Sequence, residues 1–473
     1  MVRERTRAVH PDPDPQEVPE VPAPQNEYAR EVYEKERRHV LAPWSAWGAT
    51  DPMVVNSAEG CHMVDGDGNR LLDFTSQLVN TNIGHQHPVV VEAIREQAGK
   101  LCTINPAHAT EARAEAARLI AGVAPAGMER VFFTNAGTEA VEHAVRMARR
   151  HTGRHKTLSA YRSYHGATTT SMNLTGDTRR WANDMGNTGA VHFHAPYLYR
   201  SQFHATNEKE ECDRALEHLE SLIGLEGPDH FAALVIESVP GTVGIMVPPA
   251  DYLRGVREIC DRFGIVMICD EVMSGFGRTG EWLALDNFRS GDDDWAPDLI
   301  TFAKGSNSGY VPLGGVILHD RIAASFEKTP YTGGLTYAGH PLACASAVAT
   351  INLMRDEKIV ENAKAIGEDV IGPRLAELAE KHPSIGEVRG LGVFWAVEMV
   401  ADRETREPLA PYGGSSEAMA KTFAAAKKDG VLLFMNYNRF HIVPPCIITP
   451  ELAREGLDVF DRALDVADSY VAG

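Results

Sequence analysis

Five short apolar runs lie between helical stretches in the middle of this chain, at 131–133, 232–236, 265–269, 299–302 and 316–318. They do not alternate strictly with polar residues, so each is expected to be covered on both faces. Stretches of helical periodicity precede or separate them at 88–102, 110–123 and 138–151. That alternation predicts an α/β fold built on a mostly parallel sheet with helices on both sides. Beyond Pro341, helices are expected at 341–356 and 358–380, followed by strands around "FWAVEM" and "RFHIV". The last helix opens at Thr449-Pro450, an N-cap followed by proline at the first helical position. Its apolar residues Leu457, Phe460, Leu464 and Ala467 fall on one face.

The first 25 residues carry six prolines and almost no bulky apolar side chain, and they read as a disordered arm. Residues 26–75 start with a charged helix at 26–41 and include a hairpin turn at Asp65-Gly66-Asp67-Gly68. We place a large domain at 76–345. A small α+β domain is expected to combine 26–75 with 346–473.

At 473 residues, 44% of them hydrophobic, the chain can bury a substantial core. A formal net charge of −19 disfavours nucleic acid as a partner, so an anionic ligand needs local donors. No apolar run is long enough to span a membrane, and no apolar signal segment opens the chain, which predicts a cytoplasmic protein. The seven cysteines are scattered without a C-x-x-C pair, so neither a disulfide framework nor a metal site is expected.

Gly275-Phe-Gly277-Arg-Thr-Gly280 matches the dinucleotide pattern G-x-G-x-x-G. The pattern requires its first glycine directly after a strand, with a helix opening behind it. Here the strand ends near Cys269, six residues before Gly275, so the glycines are expected to shape an irregular loop.

Asp270 stands where that apolar strand ends, the edge at which α/β sheets build ligand sites. Taken alone it is equally compatible with an N-cap or a structural ion pair. A second apolar strand ends in Lys304-Gly305, and a lysine there is either a snorkelling surface residue or a desolvated amine able to form a Schiff base. Asn135-Ala136-Gly137-Thr138 leads from a strand into a helix whose free N–H groups suit a phosphate, although an ordinary capped helix starts the same way. Tyr164-His165-Gly166 sets an aromatic beside a flexible turn. A phosphate cup, a stacking ring, a carboxylate and an amine are together the parts that hold pyridoxal phosphate.

"TNAGTEAVEHAVRMAR", "SYHG", "DEVMSGFGRTG", "FAKG" and "LTYAGHPLACA" occur in the order and spacing of the class III pyridoxal-phosphate-dependent aminotransferases, and the chain resembles that family over about 35–470. The resemblance implies a fold-type I enzyme acting as a homodimer or higher homo-oligomer with shared active sites. It makes Lys304 the Schiff-base lysine and Asp270 the partner of the pyridine nitrogen. Gly137 and Thr138 become phosphate binders, Tyr164 the stacking aromatic and Val272 the residue on the other ring face. Glu237 becomes the buried acid beside the cofactor, and Thr336 the residue that reaches the neighbouring subunit's phosphate. Arg439 lies near the family's substrate-carboxylate arginine; as a lone residue it reads equally as a surface arginine.

Two positions depart from the pattern. Met273 stands where many members carry glutamine, and Thr242 where the 4-aminobutyrate branch carries glutamate. "ESVPGTVG" and "DEVMSGFGRTGEW" look nearest to the ω-amino acid and taurine transaminases, with a 2-oxo acid (pyruvate or 2-oxoglutarate) as the other substrate. Aminomutases and decarboxylases share the same cofactor residues. A non-catalytic pyridoxal-phosphate-binding protein and a dehydrogenase are the remaining readings.

Overall fold

A computed structural model describes residues 24–184, 186, 189–289 and 295–471. The arm expected over 1–25 lies, apart from its last two residues, outside the described residues. The chain divides into two compact units, Met1–Ala58 with Met63–Leu71, and Glu59–His62 with Leu72–Gly473.

In the first unit, helix α1 (Glu27–His39) is capped by Asn26, whose side chain accepts from the backbone N–H groups of Tyr28 and Ala29. The turn expected at 65–68 is present, with Asp65 Oδ1 accepting from the N–H groups of Asp67 and Asn69 at 3.0 and 2.8 Å. The Asp67 carboxylate accepts in turn from the backbone of Gln25 and Asn26, which ties the turn to the start of α1.

The second unit is organised by a seven-stranded sheet. Its strands are β1 (Arg130–Thr134), β2 (Lys156–Ala160), β3 (Ala190–Phe193), β4 (Phe231–Glu237), β5 (Val266–Asp270), β6 (Leu299–Phe302) and β7 (Gly314–Leu318). Their order across the sheet is β1-β7-β6-β5-β4-β2-β3. Only β7 runs antiparallel to its neighbours, so the expectation of a mostly parallel sheet holds. Every residue of β4, β5, β6 and β7 is buried, because helices cover both faces. One of these, α2 (Gly137–Thr152), packs its Ala140, Val141, Ala144, Val145 and Ala148 into the sheet's apolar cluster.

The helix expected at 341–356 is α3 (Pro341–Asp356). That expected at 358–380 is interrupted: Ile359–Ile366 and Gly372–Lys381 are α-helical, and a π-turn joins them. Gly367 explains the break. A Cβ there would lie 2.1 Å from the Gly392 carbonyl oxygen, so another backbone crosses at van der Waals distance. "FWAVEM" and "RFHIV" form antiparallel neighbours, Phe394–Asp402 and Arg439–Ile442.

The last helix, α4 (Pro450–Asp468), starts as read, with the Thr449 side chain accepting from Leu452 N–H. Leu457, Phe460, Leu464 and Ala467 are all fully buried, and the Phe460 ring meets Phe440 edge-on at 5.6 Å between centroids. Phe460→Ala should therefore destabilise the fold by about 3–5 kcal/mol, the usual cost of emptying a buried aromatic site. Thermal unfolding of the variant checks this, and a wild-type midpoint would remove α4 from the core.

Candidate active site

Parallel strands deliver their carboxyl ends to one edge of a sheet, and five of them supply the polar residues of this site. β1 leads into Gly137 and Thr138 at the start of α2, and β2 leads to Tyr164. β4 ends in Glu237 and β5 in Asp270, while β6 is followed by Ala303 and Lys304. The register sets Glu237 opposite Asp270, and Asp270 opposite Thr301.

Asp270 is 3% exposed, and its carboxylate is fully engaged on the protein side. Oδ2 pairs with His165 Nδ1 at 2.7 Å, and Oδ1 accepts from Thr301 Oγ1 at 3.0 Å and from Val272 N–H at 3.1 Å. Burial alone would lower the His165 pKa. The hydrogen bond to Asp270, with the charges of Asp270, Glu237 and Asp177, outweighs it and raises the value. His165 therefore supports Asp270 through this hydrogen bond, a contact not foreseen from the sequence. Its adjacency to Tyr164 at the same strand edge was the signal available.

Glu237 accepts from the N–H groups of Tyr164 and Gly241 at 3.0 and 2.9 Å, joining two loops of the site. Burial pushes its pKa up; the charge of His165 opposes this and that of Asp270 reinforces it. The Lys304 backbone is left-handed, with φ of 45°. Burial draws its amine down to about 8, against the upward pull of Asp270 and Glu237 and with the help of Arg179 and Arg278. Such an amine is substantially unprotonated in mildly alkaline solution and is a competent nucleophile.

α2 begins at Ala136 without a side-chain cap, so the first-turn N–H groups face the sheet edge. Thr138 Oγ1 sits beside them, accepting from Ala167 and Thr168 N–H at 3.1 Å and sharing hydrogen bonds with Thr168 Oγ1 and Ser171 Oγ. Gly166 permits this approach, since a Cβ there would lie 2.3 Å from Thr138 Oγ1 and its φ is 134°. A Cβ on Gly137 would meet Val272 Cγ1 at 2.6 Å, so Val272 closes over the same helix start.

The Arg179 guanidinium lies 3.6 Å from the Tyr164 ring centroid and is anchored by the carboxylate of Asp177. This cation was not foreseen, since "GDTRRW" resembles ordinary surface sequence. Arg439 is not a surface arginine. It is 2% exposed and donates to the Val243 carbonyl, and its Nε has no hydrogen-bond partner among the described residues. Thr336 is exposed at the start of the turn 336–339. Thr242 and Met273, the two departures from the family pattern, touch each other: the Thr242 hydroxyl donates to Met273 Sδ at 3.5 Å.

The glycines behind Asp270 form turns with no helix, as expected. Glu271 anchors them, accepting from Ser274 Oγ and from the N–H groups of Ala284 and Leu285 at 2.8–3.0 Å. A Cβ on Gly280 would meet Lys364 Cβ at 2.9 Å, which leaves no room for a nucleotide against this backbone.

Residues 45–464 match Aminotransferase class-III. The chain belongs to the class III aminotransferases. It is similar to the taurine:2-oxoglutarate aminotransferase of Bifidobacterium kashiwanohense, solved with pyridoxal phosphate and glutamate, with 39% identity, a TM-score of 0.89, and 93% and 98% of the two chains covered. It is 33% identical to the putrescine–pyruvate aminotransferase of Pseudomonas aeruginosa over 93% of this chain and 97% of that one. It is also 33% identical to the 4-aminobutyrate aminotransferase of Escherichia coli over 89% and 95%. The protein is thus an aminotransferase whose cofactor is pyridoxal 5′-phosphate. Its residues fit that group: an uncapped helix start suits the phosphate, and the cradle at Gly137 and Gly166 is closed to any larger residue. No helix among the described residues is long and apolar enough to cross a membrane.

The His165–Asp270 pair has a pH signature. Because the His165 pKa is raised above its ordinary 6.5, the pair's contribution to stability is complete below that value and fades as pH rises through the raised one. In Asp270→Asn, burial acts without the opposing carboxylate, so the imidazole should titrate below its wild-type value. NMR of labelled histidines measures this, and an unmoved His165 resonance would break the pairing.

Proposed function

We propose that this aminotransferase takes its amino group from an ω-amino acid, such as taurine or β-alanine, and passes it to a 2-oxo acid, pyruvate or 2-oxoglutarate, in a ping-pong cycle. The observation that carries the donor assignment is Arg179, a cation on the Tyr164 ring whose charge also reaches Lys304. A guanidinium there suits a carboxylate or sulfonate held at a distance from the reacting amine. The similarity to a taurine:2-oxoglutarate aminotransferase supports the same reading.

Pyridoxal phosphate, when bound, supplies an electron-withdrawing ring that stabilises negative charge developing at the substrate carbon. On our reading the first turn of α2, with Gly137 and Thr138, holds the phosphate. Tyr164 and Val272 hold the two ring faces. Asp270, held by His165, would keep the ring nitrogen protonated, and a carboxylate in that position raises such a pKa by roughly one to three units. Glu237 fixes the backbone of Tyr164 and Gly241 around the ring. The Lys304 amine carries the cofactor between turnovers and then moves a proton to and from the substrate carbon. Thr336, exposed on its segment, is assigned to the phosphate of a second subunit, which makes the working form a homodimer or larger.

Arg439 is assigned to the distal acid of one of the two substrates. To reach it, the guanidinium has to leave the Val243 carbonyl. Thr242 offers no carboxylate to park it, which sets this site apart from the 4-aminobutyrate pattern. A donor–acceptor panel tests the whole reading, and preference for ordinary α-amino donors overturns it.

Two substitutions sharpen that test. Lys304→Ala should abolish turnover and the visible absorbance of bound cofactor while the circular dichroism spectrum stays unchanged; retained transamination removes Lys304 from its role. Arg179→Ala should cost roughly 1.5–3 kcal/mol in kcat/KM with taurine or β-alanine, as for one charged hydrogen-bond partner, and much less with an uncharged amine. Arg439→Ala in the same panel assigns the second acid. Equal losses for charged and uncharged donors would make both arginines structural.

A further inference from the structure

Arg278, inside the glycine stretch Gly275–Gly280, is 0% exposed. Among the described residues no carboxylate forms an ion pair with it, and its Nε has no hydrogen-bond partner. A buried, unpaired guanidinium is costly unless its remaining donors are satisfied. They are. Nη1 donates to the carbonyls of Val393 and Pro444, and Nη2 donates to Ser76 Oγ at 3.1 Å and to Asn82 Oδ1 at 2.7 Å. Asn82 then donates from Nδ2 to the Phe276 carbonyl at 2.7 Å.

These contacts lead to Lys304. A Cβ on Gly305 would lie 2.4 Å from Asn82 Nδ2, so the residue after the lysine is pressed against the group that Arg278 holds. A Cβ on Gly309 would lie 2.1 Å from Asn80 Nδ2, and Ile83 N–H donates to Ser308 Oγ at 2.9 Å. The left-handed turn opened by Lys304 is closed by Gly309 N–H on the Lys304 carbonyl at 3.1 Å, and residues 80–83 clasp it throughout. A non-glycine residue keeps such a conformation only where its surroundings enforce it.

We propose that Arg278 is a positioning residue for Lys304: its fork fixes Asn82, Asn82 fixes the Gly305 turn that aims the amine, and its charge, which the Asp73 carboxylate feels as well, bears on that amine. Four charged groups act on the lysine. Asp270 and Glu237, at the ends of β5 and β4, favour its protonated form, while Arg179 and Arg278 oppose it. His165 acts through Asp270. Of the two arginines, Arg179 lies on the Tyr164 ring, whereas Arg278 is fully buried. The proposal rests on the reading of Lys304 as the cofactor-bearing lysine.

The test uses the holoenzyme and two readouts: the pH midpoint of the visible band of bound pyridoxal phosphate, and kcat separated from KM. Arg278→Met removes charge and fork together, and its midpoint should rise by on the order of one unit, as for loss of a neighbouring like charge. Asn82→Ser keeps the charge and loosens the tether. It should hold the wild-type midpoint and the donor KM while kcat falls about tenfold, a cost of misaimed geometry alone. Arg278→Lys should resemble Asn82→Ser, since a point charge replaces the fork. If Arg278→Met does not fold, Asn82→Ser and Arg278→Lys carry the test. A wild-type midpoint in folded Arg278→Met overturns the proposal, as does a wild-type kcat in Asn82→Ser. Lys304→Ala keeps the two ideas apart: a visible band that survives it rejects the lysine assignment, whereas a lost band with unmoved Arg278 variants rejects only the role of Arg278.

Discussion

The site depends on strand polarity. A parallel sheet has one carboxyl edge, and a chain that returns to it repeatedly brings residues from distant positions together without specific long-range pairing. Glu237, Asp270 and Thr301 stand side by side because β4, β5 and β6 share a direction and a register. β7 reverses, and its two glycines are pressed against neighbouring backbone and rings. A Cβ on Gly314 would lie 2.8 Å from the Ala136 backbone, and one on Gly315 would lie 2.5 Å from the Phe302 ring. The antiparallel strand supports the edge from behind and contributes no functional side chain to it.

Placing a carboxylate at the end of a buried strand raises an electrostatic problem, because a buried charge needs a partner. The protein solves it twice in adjacent residues by different means. Asp270 receives the His165 imidazole and two neutral donors, the Thr301 hydroxyl and the Val272 N–H. Glu271 receives backbone N–H groups and a hydroxyl, and burial pushes its pKa upward. One acid of the pair is held by a histidine and the other holds the loop. Arg278 extends the pattern to a cation whose hydrogen bonds go to neutral acceptors, with the Asp73 carboxylate acting on it only through space.

Much of this was legible in the sequence, and the physical reasons differ from part to part. Continuous apolar runs marked the fully buried strands β4, β5 and β6, because burial on both faces removes polar residues. β2 and β3 were not foreseen. "KTLSA" and "AVHF" are short, and β3 is an edge strand with only Phe193 buried, so neither run stands out. Thr449-Pro450 marked the start of α4 because capping chemistry is local. The break at Gly367 was invisible because its cause, the Gly392 backbone, comes from elsewhere in the chain. The same distinction divides the site. Asp270 and Lys304 announce themselves by sitting at strand ends. His165, Arg179 and Arg278 matter through what they touch, and only the fold brings those contacts about.

The net charge of −19 gives the arginines a further meaning. Over distances beyond about 8–10 Å salt screens that charge, so a small anion near the surface feels chiefly the groups beside it. Arg179, proposed above for that part, lies against Tyr164 with its own carboxylate partner fixed at Asp177. Arg162 stands between the rings of Tyr197 and Tyr412 at 5.4 and 5.2 Å, and its charge reaches Arg439. Deeper in, Glu398 takes up Arg389 and Arg200, and its own pKa is held at about 2 against the cost of burial. Arg439 stands opposite Glu398 in the strand register; burial lowers its pKa, with Arg389 and Arg162 adding to this and the charge of Glu398 opposing it. Glu398 thus bears on three arginines, accepting from Arg200 and Arg389 and acting on Arg439 through space. On the reading proposed above, a substrate carboxylate or sulfonate at Arg439 would add to that charge, which is why the guanidinium can exchange the Val243 carbonyl for it.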